Sequence, residues 1–474
     1  MVFFRKNTRL FEVMSEEKNQ MSKKHQIDMT NGSIFGKLMV FSLPLVLSAL
    51  LQLFFNAADI IVVGRFSGDN SLAAVGSTSS VINLLVNLFV GLSTGTNVVA
   101  AHYFGAQKKR ELVDTVHTAI LLSLISGVIL TLAGVFGARQ ILEWMKSPPE
   151  VLDLAVLYLR IYFAGITATM VYNFGSALLR AKGDTKRPLY ILFLAGLINI
   201  VLNLIFVICF KMDVAGVGLA TVISQTVSAV LVIVLLVKET DEFHLDLKKL
   251  AIKREILVRI IKIGVPAGFQ GIVFSLSNVV IQSAVNSFGS ILVAGSSASS
   301  SIEGFVYTAM NGFAQGSLTF VSQNLGAHKF DRIKKVVLLS FLIVTVIGLC
   351  LGNLVVLTGP FILKVYSKSA DVIKAAMIRL TIICSTYCLC GMMDVMANSI
   401  RGIGYSVLPM IVSLTGACGL RILWLATFFQ IPKFHTPEVI FVSYPISWLV
   451  TLLVHILCFA IIFKKESKEY LAKK

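Results

Sequence analysis

Charge is what this chain has least of: 14 % of its residues are Asp, Glu, Lys or Arg, against about 25 % in soluble domains. With 56 % hydrophobic residues and a mean hydropathy of +0.83, this excludes a water-soluble globular protein, because only lipid can cover so much apolar surface. The net charge of +17 raises the question of nucleic acid. The Lys and Arg runs, however, fall in short loops between apolar spans, the pattern of cytoplasmic membrane loops, so no nucleic-acid partner is expected. Cysteines are few, and all seven (Cys209, Cys350, Cys384, Cys388, Cys390, Cys418, Cys458) stand in apolar segments. They are expected to be small buried hydrophobes, not a disulfide framework or zinc site. A nucleotide loop, zinc-ligand spacing and a nucleophile elbow are all missing, so neither an enzyme nor an organic cofactor is expected. Residues 1–33 lack an apolar core followed by a small-residue cleavage site. A cleaved signal peptide is therefore not expected, and the first span serves as the insertion signal.

What the chain does have is duplication. Pro44 in SLPLVLSALLQLFFNAAD recurs as Pro266 in GVPAGFQGIVFSLSNVV. Gly91, Gly95 and Gly105-Ala106 recur as Gly312, Gly316 and Gly326-Ala327. Arg180-x-x-Gly183-x-x-x-x-Pro188 recurs as Arg401-x-x-Gly404-x-x-x-x-Pro409, 221 residues on. Duplicated hydrophobic halves are how many secondary transporters are built, with the substrate site between the repeats.

At roughly 20 residues per crossing, the chain divides into twelve spans, beginning near residues 38, 72, 113, 154, 189, 215, 260, 292, 336, 376, 408 and 444. With the N-terminus inside, cytoplasmic segments hold 31 of the 42 Lys and Arg and external segments eight; Arg160, Arg379 and Arg421 lie within spans. That asymmetry places both termini in the cytoplasm. Six spans per half give the halves one orientation, and so two similar six-helix lobes. The expected organisation is a cytoplasmic N-terminal segment (1–33), a first lobe (34–237), a cytoplasmic linker (238–259), a second lobe (260–463) and a cytoplasmic tail (464–474).

Acidic residues well inside spans are rare, and each marks either a pathway or a partner. They are Asp59, Glu303 and Asp394. Span 1 runs outward and ends near Gly64, which sets Asp59 roughly 8 Å below the outer surface. Span 5 brings Asn199 and Asn203, one turn apart on one face, to a similar depth, and span 6 brings Thr221. Hard oxygen ligands of this kind suit Na⁺, and a partly desolvated carboxylate equally suits a proton. The alternatives are that Asp59 caps its helix or pairs with Arg65, and that the amides and hydroxyl only join helices. Glu303, near mid-membrane, either pairs structurally or lines a cavity; Asp394 pairs near Arg401. The glycine pairs allow close helix approach, and Pro44 and Pro266 bend or unwind spans 1 and 7. Arg160, Arg379 and Arg421 either line a cavity or snorkel outward.

Together these landmarks resemble the multidrug and toxic compound extrusion (MATE) transporters, from about Ile34 to Lys465. The likeness rests on PLVLSALLQLFFNAADIIVVGRFSG, the duplicated Gly-Ala basic loops, RAKGDTKRP matched by RGIGYSVLP, and NIVLNLIFV…VAGVGLATVIS. It implies an all-α membrane protein of twelve helices in two six-helix lobes forming a V. That protein would be a monomer in the plasma (inner) membrane, contacting membrane lipid and exporting small cationic, amphipathic drugs in exchange for Na⁺ or H⁺. In the family the aspartate of N-x-A-D is central to ion coupling, and Asn56-Ala57-Ala58-Asp59 matches it. Family members often carry Asn and then Asp on span 5; here Asn199 matches but Asn203 replaces the carboxylate. The span-6 Thr is matched by Thr221. One branch uses a Glu on span 7, absent here, where Gln270 is the nearest polar residue. The resemblance thus centres coupling on Asp59, Asn199, Asn203 and Thr221, with Na⁺ or H⁺ as the ion, and leaves Glu303, Gln270, Asp394 and Asn56 as cavity-lining candidates. A lipid-linked oligosaccharide flippase of the same superfamily is the second functional expectation, kept open by the arginines within spans.

Overall fold

The computed structural model describes residues 26–145 and 147–473 and contains, among them, no β-strand. Most of the expected N-terminal segment (1–25), with Lys146 and Lys474, lies outside the described residues. The helices are α1 (Ile34–Phe66), α2 (Asp69–Gly105), α3 (Lys109–Trp144), α4 (Pro149–Ala164), α5 (Ile166–Lys182), α6 (Lys186–Leu204) and α7 (Asp213–Lys238). The second half repeats the plan with α8 (Arg254–Asn286), α9 (Ser290–Gly326), α10 (Phe330–Tyr366), α11 (Ala370–Ser385), α12 (Cys388–Gly402), α13 (Val407–Ser413), α14 (Leu420–Ala426) and α15 (Pro437–Lys473).

Among the described residues nine helical stretches are individually long and apolar enough to cross a membrane, and two bent pairs raise the number to eleven. The bent pairs are α4–α5, at 45°, and α11–α12, at 47°: spans 4 and 10, equivalent members of the repeat. At the first bend a side chain at Gly165 would meet Val222 Cγ1 at 2.5 Å, so only glycine lets the corner pack against α7. The twelfth span is α9. At 37 residues it is long enough, roughly 55 Å, but its serines keep its hydropathy low. It packs against α10, α11 and α12, and several of its serine hydroxyls bond to carbonyls or to another serine, as Ser299 Oγ does to Ala376 O (2.7 Å) and Ser317 Oγ to Ser399 Oγ (2.9 Å). Protein, not lipid, is its immediate solvent.

The duplication extends to the backbone. Gly68 and Gly289 (φ 91° and 86°), Gln107 and His328 (both 55°), and Gly183 and Gly404 (102° and 106°) adopt matching left-handed conformations, each pair 221 residues apart. Gly183 is doubly constrained, since its carbonyl accepts from Ile27 N (3.2 Å) and a Cβ would sit 2.5 Å from Ile27 O.

The chain forms two compact units. One comprises Leu51–Ile260 with the described residues up to Gly32, the other Ser33–Leu50 and Ile261–Lys474. α1 contributes its first half to the second unit and the rest, with Asp59, to the first. Both Pro44 and Pro266 lie inside unbroken α-helices, so of the bend or unwinding expected at these prolines, the unwinding does not occur. Ser48 Oγ donates to Pro44 O (2.8 Å) one turn on. In the second unit Gly312 and Gly316 lie directly against Val46 and Ser42 of α1, where any side chain would collide, which is the close approach expected of this pair. The cysteines depart from expectation: Cys209 and Cys350 are exposed and Cys458 partly so, while Cys384, Cys388, Cys390 and Cys418 are buried. The outward-facing thiols stand on spans whose outer surface is apolar.

The polar stretch after α7 is fastened to the first unit. Phe243 and Leu245 are completely buried. The fully buried Lys182 ammonium pairs with Glu239 and with Asp241 (2.5 Å), and Arg187 pairs with Asp184 and with Glu239 (2.6 Å). His117 Nε2 accepts from Asp246 N (3.2 Å), and Thr118 Oγ1 from Lys253 N (3.1 Å). Burial works against the ionised form of Glu239, but Lys182 and Arg187 outweigh it and hold the carboxyl below its usual range. Its stabilisation is therefore present above the unfolded carboxyl value of about 4.3 and disappears as pH falls through the lower folded value. Glu239→Gln should cost about 3 kcal/mol, because Lys182 keeps only one acid and Arg187 loses one of two. The measurement is thermal unfolding of the solubilised protein, with the loss vanishing at acid pH.

Candidate functional site

In the first unit, α1, α6 and α7 bring Asp59, Asn203, Asn199 and Thr221 together as a directional chain. Thr221 Oγ1 donates to Val217 O (3.0 Å) and accepts from Asn199 Nδ2 (3.4 Å). Asn199 Oδ1 accepts from Asn203 Nδ2 (3.2 Å). The second hydrogen of that Asn203 amide goes to Asp59 Oδ1. Both hydrogens of the Asn203 amide are thus committed, and the chain ends on the carboxylate. Asn199 and Asn203 are buried, and Asp59 is partly so. Arg65 makes no ion pair with Asp59 among the described residues; the amide takes that place.

A cavity of about 60 Å³ opens beside the carboxylate, walled by Asp59, Asn56, Asn199, Thr221, Ser224 and Gln225. Gln225 Oε1 of the cavity wall, and Asn203 Oδ1 of the adjoining amide, are buried without a hydrogen-bond partner. Unpartnered carbonyl-type oxygens beside one carboxylate make an oxygen-rich surface of single negative charge, which fits a small monovalent cation. Gly196 keeps the place open, since a side chain there would overlap the Phe55 ring. No group of three His, Cys, Asp or Glu gathers among the described residues, so a transition-metal centre has no ligand set there. Sequence reasoning missed Gln225 and Ser224. The signal for Gln225 was its place one turn after Thr221 on the same face of α7.

The remaining candidates lie in the second unit and are engaged with arginines. Glu303 holds Arg379 in a bidentate pair (Nε–Oε1 and Nη2–Oε2, both 2.8 Å), and Arg379 Nη1 donates to Ser296 Oγ (2.8 Å). Of the two alternatives for Glu303, pairing is the one observed. Gln270 Oε1 accepts from Arg401 Nη2, and Arg401 Nη1 donates to Asn398 Oδ1 (3.1 Å). Asp394 lies within electrostatic reach of Arg401 and Tyr307. In the first unit, Arg160 Nε donates to Val135 O (3.2 Å).

Residues 44–205, and again 266–426, match the MatE family model, one match per half of the repeat. The chain belongs to the MatE family. Proteins of this family are membrane transporters, not enzymes. The probable multidrug resistance protein YoeA of Bacillus subtilis (strain 168) is 26 % identical over 443 residues, spanning 92 % of this chain and 95 % of YoeA. The multidrug export protein MepA of Staphylococcus saprophyticus is 23 % identical over 411 residues, 83 % of this chain and 90 % of MepA. A solved structure described as the outward-facing conformation of a multidrug resistance MATE family transporter of the MOP superfamily has the same fold. It superposes with a TM-score of 0.87 at 23 % identity, covering 93 % of this chain and 98 % of that one. This MatE chain is thus a polytopic membrane transporter whose relatives are named for multidrug export.

Proposed function

We propose that this MatE protein is a secondary antiporter that exports cationic, amphipathic drugs in exchange for Na⁺ or H⁺ taken up at Asp59. The observation that carries the reading is the donor chain ending on Asp59 beside a small cavity with unpartnered oxygens. The carboxylate alternates between a charged form held by Asn203 and a cation-neutralised form. A ligand shifts a conformational equilibrium only through unequal affinity for the two states. Burial supplies that inequality, since an uncompensated carboxylate is costly in low dielectric and a neutralised one is not. Asn199, Asn203, Thr221 and Gln225 position and solvate the ion. The excess of Lys and Arg in alternate loops supports a plasma-membrane protein with both termini in the cytoplasm.

Efflux from proteoliposomes tests this directly. An imposed Na⁺ gradient or an imposed pH gradient, applied separately, is expected to drive ethidium movement against its own gradient. Equal movement with neither gradient imposed would contradict an exchange mechanism.

A further inference from the structure

Within the second unit, Arg379 and Arg421 are treated in opposite ways. Arg379 is neutralised by Glu303 and bonded through all three guanidinium nitrogens. Arg421, only 3 % exposed, has one hydrogen bond, from Nε to Ser447 Oγ (2.8 Å). Its Nη2 is buried without a partner, and no described carboxylate lies within ion-pair distance. Its electrostatic neighbours are Tyr444, Cys390, Cys418 and Tyr387, none of them a carboxylate. Aromatic rings surround it instead. The guanidinium lies 4.1 Å from the Tyr444 ring and 5.6 Å from Trp448, and Tyr387 stacks on Trp448 at 5.4 Å. An ionisable group at membrane depth ordinarily has a charged partner, and none of the described residues supplies a carboxylate to Arg421.

The internal repeat places this arginine at a meaningful position. Pro44 and Pro266, and likewise Asn56 and Asn278, are 222 residues apart, so the counterpart of Asp59 is Ile281. In the later span the π-turn Leu414–Gly419 takes one more residue per turn than an α-helix, and such turns concentrate at functional sites. Beyond it the spacing becomes 222, and Arg421 falls on the counterpart of Asn199, Leu425 on that of Asn203. At corresponding places the first half carries a carboxylate with amides, the second a guanidinium with rings.

We infer that Arg421, with Tyr387, Tyr444 and Trp448, forms a binding site for a carboxylate borne on a flat apolar body. The guanidinium fork offers paired donors to a carboxylate, and the rings offer faces to a planar molecule. The site rests on the exporter reading only for the source of its ligand, a transported compound carrying an acid group.

The experiment is calorimetric binding to the full chain in nanodiscs without any ion gradient, so that a failure of coupling at Asp59 leaves the result interpretable. The probes are 2-naphthoate, 2-naphthamide and 2-naphthylmethylammonium, with dodecyl phosphate as a lipid-like control. Wild type is expected to prefer naphthoate over the amide by about tenfold. Arg421→Gln should remove that preference and leave the ammonium probe unaffected, whereas Arg421→Lys should retain part of it. Equal binding of naphthoate and naphthamide by wild type would overturn the inference even if the variants do not fold. So would a loss of all three probes together in Arg421→Gln, the mark of a purely packing role, or a preference for dodecyl phosphate, the mark of a lipid headgroup site.

Discussion

Asp59→Asn is expected to abolish drug efflux, leaving accumulation in cells that carry the variant at the level of cells without the transporter. The substitution is nearly isosteric, and the new amide can still accept from Asn203, so the bundle has no reason to collapse. What disappears is the charge that a cation can neutralise. Removing a carboxylate from a partly buried place spares its desolvation, so the amount of protein in the membrane and its melting temperature should hold or rise. The check is paired: efflux on one side, membrane abundance and thermal stability on the other. Unimpaired efflux would end the coupling role of Asp59. Loss of efflux with loss of protein would place Asp59 among structural residues.

The largest expected stability effect lies elsewhere. Glu303→Gln leaves the buried Arg379 guanidinium without its bidentate acid, and breaking one side of such a pair costs about 3–5 kcal/mol. Ser296 and the Phe441 ring, 5.6 Å from the guanidinium, cannot replace a full negative charge. The double change Glu303→Leu with Arg379→Leu removes both charges together and should recover most of the loss. Because neither residue belongs to the Asp59 cluster, each folded molecule of the double variant should still respond to an ion gradient. Melting curves of the singles and the double close the cycle; an additive double would mean that the two side chains do not stabilise one another.

The sequence made the spans legible because length and apolarity are what a bilayer demands of a crossing that faces lipid. It also made the Asp59 cluster legible, since helical rise converts position along a span into depth, and depth brought four polar side chains from three helices to one level. Depth carries no azimuth, however. It could not say that Asn203 rather than Arg65 faces Asp59, nor that Glu303 turns to Arg379. The stretch after α7 looked like a tether because its charges dominate its composition. Phe243 and Leu245, two residues apart, were the only sign that it packs. Between the bend and the unwinding open at Pro44 and Pro266 the sequence could not choose, because membrane helices tolerate proline; the helix continues through both. Arg421 looked like its fellow span arginines, and its solitude depends on rings of α15, which follow it by more than twenty residues.

The serine-rich α9 has a consequence for how the chain is made. A segment so poor in apolar side chains has little tendency to partition into a bilayer by itself, yet it must cross one for the second half to close. Its integration therefore depends on company: α10, α11 and α12, which shield it in the finished protein, have to be synthesised before it can settle.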